Sequence, residues 1–145
     1  MPVMPFESDH QREAYERLRE PLVDLFGTVR ERVHAIGYVY EVDGETVTST
    51  VAPWGARDTI VANRAYLADA VLMTEEMLRE LARWTETGRF GFFGVDNVND
   101  GVYFEHQLVG STVTGDTLER SMRAVLTTAL ARRSEFRERF GRGDL

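Results

Sequence analysis

The residues that could do chemistry are few and scattered. Three histidines, His10, His34 and His106, are the ordinary candidates for acid–base work near neutral pH. A helical metal site needs two of them four positions apart, and no pair has that spacing. His106 stands beside Glu105, the one neighbouring pair that could share a proton. Successive side chains of a strand leave on opposite faces, so this pair is expected to diverge. The chain has no cysteine, which removes thiol nucleophiles, disulfides and thiolate metal sites. It also has no lysine, so a phosphate loop of the Walker type is excluded. Neither the G-x-S-x-G turn nor the G-x-G-x-x-G turn occurs. Asp96, Asp100 and Gly101 match part of a calcium loop, but Val98 and Gln107 stand where it needs oxygen ligands, the second of them bidentate. The segment reads instead as a polar hairpin turn. No catalytic, metal-ligating or cofactor-binding residue is therefore assigned, and no cofactor is expected.

A dispersed site remains open. Trp54, Arg57, Asp58, Arg64 and His106 are strand or loop residues able to meet on a concave sheet face. They are the candidates for a small-ligand protein or an enzyme. Phe90, Phe92 and Phe93 among the glycines of residues 88–94 could stack RNA bases, but alternate core filling accounts for them better in an acidic protein. Glu75/Glu76 suit a helix start. The arginines between Arg132 and Arg142, interleaved with Glu135 and Glu138, suit the solvated end of a helix.

Composition narrows the classes further. The chain has 145 residues, 43% of them apolar, which fits one folded domain rather than a disordered chain. Its net charge is −7, which repels phosphate backbones and argues against nucleic acid as a partner. All 17 basic residues are arginine, a composition open to two origins: GC-rich codons or a salt-loving host. No apolar run approaches the roughly 20 residues of a membrane span. Residues 1–7 lack the pattern of a secretory signal. A cytoplasmic protein with no membrane partner is expected.

The elements that would position these residues follow from periodicity. Asp9 is a candidate cap for a charged helix, with a restart or kink at Pro21. Leu18, Leu22, Leu25, Phe26, Val29 and Val33 share its apolar face. Two alternating runs around Asp43-Gly44 predict a hairpin over residues 38–51. A third strand is expected within residues 58–67. Thr74 caps a second helix that ends at Gly88. Strands over 90–95 and 102–108 follow. A last helix begins at Thr114 or Asp116 and runs through Phe136. The order α-β-β-β-α-β-β-α predicts an α+β fold, with a largely antiparallel five-stranded sheet and helices on one face. Residues 1–8 and 141–145 are expected to be flexible, flanking one domain over 9–140.

The stretch from Leu78 to Asp96, LRELARWTETGRFGFFGVD, resembles the central helix-to-strand segment of the YbjN-like proteins, which share a type III secretion chaperone-like fold. The pattern is a leucine-rich helix, a Phe/Gly strand and an acidic turn. A strand (102–108) and a capped helix (116–130) follow it, and the resemblance covers roughly residues 20–135. Thr85 or Thr87 stands near the place where those proteins often carry an asparagine. The resemblance implies a compact domain, often dimeric, that binds an extended protein segment. It brings no catalytic residue with it.

The leading expectation is a non-catalytic protein-binding domain of chaperone-like, adaptor or regulatory type. It is expected to work as a homodimer or with a client protein. Leu118, Met122, Val125 and Leu126 of the last helix are the candidate contact residues.

Overall fold

Gly27 decides where the first helix stops. Its φ of +89° is open to glycine and strained for other residues, and its N–H caps the carbonyl of Val23. The computed structural model describes residues 5–97 and 99–140. Helix α1 accordingly spans Asp9–Phe26, with Pro21 inside it. Ser8 rather than Asp9 is the N-cap, its hydroxyl accepting from the Gln11 N–H.

Beyond Gly27 the chain changes period. Val29–Glu31 form a short strand, β1, where the apolar spacing of Val29 and Val33 had predicted more helix. The sheet therefore has six strands rather than five. The others are β2 (Gly37–Val42), β3 (Glu45–Trp54), β4 (Asp58–Ala68), β5 (Phe92–Asp96) and β6 (Gly101–Val109). Their order across the sheet is β1-β2-β3-β4-β6-β5. The hairpin read from Asp43-Gly44 is present: both residues have positive φ, and Val42 pairs with Glu45 across the turn. Helix α2 spans Glu75–Gly88 behind a Thr74 cap, and helix α3 spans Gly115–Arg139. The α3 start is held by Thr114, whose hydroxyl accepts from the Thr117 N–H. The α+β class and the antiparallel sheet with its helices thus stand as expected.

The described residues group into two compact units. One holds the chain up to Asn63 together with Gln107–Met122; the other holds Arg64–His106 together with the chain from Arg123. In the first unit, α1 packs its apolar stripe of Ala14, Tyr15, Leu18 and Leu22 onto β2 and β3. Tyr15 stacks on Tyr38 at 4.5 Å, and the Tyr38 hydroxyl donates to the Tyr15 carbonyl. Buried Gln11 reaches from the same helix to the Val51 carbonyl. A neutral polar chain also lies inside this unit. Tyr40 and Ser49 share a hydrogen bond, Ser49 donates to Asn63, and Asn63 donates to Ser121 of α3. All four side chains are buried.

In the second unit the core is aromatic. Trp84 of α2 meets Phe93 edge-on at 5.5 Å and Phe136 of α3 at 6.4 Å, and Phe93 packs on Phe104. Arg133 and Arg137 of α3 donate to the backbone carbonyls of Tyr66 and Leu67 at the end of β4. A charged cluster joins α2 to α3. Glu80 accepts from Arg83 and Arg139, while Glu135 pairs with Arg139 and Arg132, and the Arg132 guanidinium lies over the Trp84 ring. The expected flexible tail, 141–145, and residues 1–4 of the expected flexible start lie outside the described residues. Residues 5–8 are placed, with Phe6 against Tyr15.

Candidate functional site

Alternation along β4 and β6 sorts the candidate residues. In the second unit, Ala65 and Leu67 turn to the helices and are buried, whereas Arg64 and Tyr66 turn to the other face and are half-buried. Arg64 Nε donates to Glu105 Oε1 at 2.9 Å, and its guanidinium lies 3.5 Å over the Tyr103 ring. Tyr66 donates to Asp96 at 2.8 Å, and Arg64 comes within 3.9 Å of the same carboxylate. These contacts form a charged ladder, one guanidinium between two carboxylates, on the sheet face away from the helices. The Glu105 side chain is only 4% exposed. Burial works against the Arg64 charge, but hydrogen bonds to Tyr66 and Glu105 outweigh it and raise its pKa. Burial also raises the Tyr66 and Tyr103 hydroxyls above their ordinary range.

His106 faces the opposite way from Glu105. Its ring stacks on Phe90 at 4.1 Å, and Phe90 in turn stacks on Phe104. Burial lowers the His106 pKa. Arg64 and His106 therefore do not converge, because strand alternation places the Glu105–Arg64 pair and the histidine on different faces. An acid–base centre built on those two residues is not present.

In the first unit, Arg57 and Asp58 do meet other polar groups. They line an open cleft of about 690 Å³ with His10, Glu13, Glu16, Arg17, Glu20, Thr59 and Ser111. Asp58 accepts from the Ser111 hydroxyl at 2.6 Å and from the Ser111 and Thr59 backbone N–H groups. Those bonds, the Ser111 hydroxyl first, hold its carboxyl below the usual range. Ser, Asp and His coincide here, but not as a nucleophilic triad: the serine bonds the carboxylate directly, whereas activation needs a histidine between them. Trp54 is 55% exposed at the end of β3 and does not line this cleft. Among the described residues, no group of three or more His, Asp or Glu side chains could hold a metal ion.

Leu118, Met122, Val125 and Leu126 are all core residues, at most 4% exposed. The last helix spends this apolar face on its own fold and so leaves it unavailable for surface contact. The large apolar side chains that do reach solvent include Val33 and Trp54 in the first unit and Leu72, Leu78, Phe90 and Leu130 in the second. Sequence reasoning did not single out Glu105, Tyr66 or Ser111 as partners. Only the alternation of Tyr103 and Glu105 against Val102 and Phe104 hinted at a second polar face.

The chain matches a protein-family model and is similar in fold to solved structures. The model of the YbjN family, described as "Putative bacterial sensory transduction regulator", matches residues 16–138. A chain in the crystal structure of the ExsC–ExsE complex is similar in fold, with a TM-score of 0.60 at 17% identity, over 88% of this chain and 96% of that one. No curated protein matches the sequence.

Proposed function

Because the chain belongs to the YbjN family, we propose that it is a non-catalytic protein-binding module, regulatory or chaperone-like in action. The observation that carries this reading is the family match, whose description is that of a regulator, over most of the chain. The fold likeness to a chain seen in a two-protein complex supports it, since that scaffold accommodates a protein partner. The site geometry is consistent with it as well. Arg64 and Glu105 neutralise each other and Asp58 is tied to Ser111, so these groups are engaged in holding strands and turns. The module works in the cytoplasm, as a homodimer or joined to a client.

The test is affinity capture of the tagged protein from its host at native salt, with light scattering on the purified protein. A second protein in stoichiometric amount, or a dimer mass, supports the reading. A monomer at every concentration with no co-purifying protein overturns it. Val125 is buried, so a charged residue there would unfold the chain rather than clear a surface. Trp54→Ser is the suitable surface variant.

A further inference from the structure

We propose that a trough in the first unit, beside α1, docks a peptide segment of the partner that presents an apolar side chain next to arginine or lysine. This rests on the protein-binding reading and names the chemistry of the segment bound.

The trough has an apolar lining, and an acidic cleft lies beside it. Pro21 of α1 and Val113 at the β6–α3 junction form its half-exposed apolar edge, with the buried Ala14, Leu18, Val61 of β4 and Gly110 beneath, around about 290 Å³ of open space. Gly110 is required there. A Cβ at that position would run into Thr59, so glycine lets the junction close against β4 and form the end of the trough. Arg17 lines both this trough and the 690 Å³ polar cleft, so the two lie side by side along α1.

The cleft beside the trough is net negative. The cleft carries four carboxylates, Glu13, Glu16, Glu20 and Asp58, against the two guanidinium groups of Arg17 and Arg57. Asp58 is occupied by Ser111 and Thr59. Glu13, Glu16 and Glu20 are exposed and recur along one side of the helix. From Glu13 to Glu20 the helix rises roughly 10 Å, the reach of about three residues of extended chain. A peptide lying in the trough therefore meets apolar lining at one residue and carboxylate within the next three. That arrangement favours basic side chains there and repels acidic ones.

The experiment selects a random dodecapeptide library displayed on phage against the full chain and against a Glu16→Lys/Glu20→Lys double variant. Both positions are exposed, and a thermal melt checks that the double variant stays folded. The wild type is expected to enrich peptides with arginine or lysine within three residues of leucine, methionine or phenylalanine. The double variant should recover those peptides at least tenfold less well. No enrichment, enrichment without basic bias, or equal recovery by the folded variant would overturn the assignment. The same variant is then used for capture from the host. A partner held by the wild type and retained by the variant removes the trough assignment but leaves the protein-binding reading standing. Capture by neither form removes both.

Discussion

Two polar clusters solve the problem of buried hydrogen-bonding groups differently. In the first unit, Tyr40, Ser49, Asn63 and Ser121 form a neutral chain in the core beneath the helices. In the second, Arg64, Glu105, Tyr66 and Asp96 form a charged ladder on the face away from them. The neutral chain has no charge to desolvate, so its contribution is specificity: each group finds its partner only in the native strand register. The charged ladder sets the Arg64 guanidinium against a nearly inaccessible Glu105 carboxylate. The first tolerates pH and salt, and the second depends on both partners being present.

Breaking the ladder should have the larger effect. Arg64→Met removes the guanidinium from the nearly inaccessible Glu105 carboxylate and is expected to cost about 3 kcal/mol in urea unfolding. Arg64→Met/Glu105→Met should recover part of that loss, since the nearly inaccessible carboxylate is removed together with its guanidinium. A double variant as unstable as the single one would mean that the ladder acts by packing rather than by charge. Asn63→Leu removes the middle of the neutral chain, with its hydrogen bonds to Ser49 and Ser121, at about 2 kcal/mol. Its cost should not change between low and high salt, and the Arg64→Met cost should fall only slightly, because salt screens a nearly inaccessible pair little.

A third charged group refines the contrast through pH. Hydrogen bonds from Arg83 and then Arg139 hold Glu80 down at about 2, against an ordinary value of 4.5. The folded value is depressed, so this contribution is fully present above pH 4.5. It is lost as pH falls through that value toward 2. Glu80→Gln should flatten the acid limb of the stability profile in that window, whereas Asn63→Leu should leave its shape unchanged. The smallest effect is expected at Trp54→Ser, within about 0.5 kcal/mol of wild type, because the indole is mostly exposed.

How much of this was readable from sequence depends on range. The Asp43-Gly44 hairpin, the Thr74 cap and the last helix are local, and local turn chemistry and periodicity sufficed for them. Strand β1 was missed because Val29 and Val33 keep helical spacing past Gly27, and only the glycine's conformation separates the two readings. The split between Glu105 and His106 followed from strand alternation alone. The Arg64–Glu105 bond joins residues 41 apart in sequence, and no local pattern marks it. Leu118, Met122, Val125 and Leu126 form an amphipathic stripe that reads alike whether it is core or contact surface. Packing decides that, and here it makes them core.

The most direct test of the protein-binding account is capture of the tagged full chain from its own host, with the co-purifying protein quantified against the bait. The account predicts a second protein near one-to-one, or a dimer of the bait, surviving a wash at native salt. A monomeric bait that brings down no protein, yet carries a bound small molecule, would contradict it.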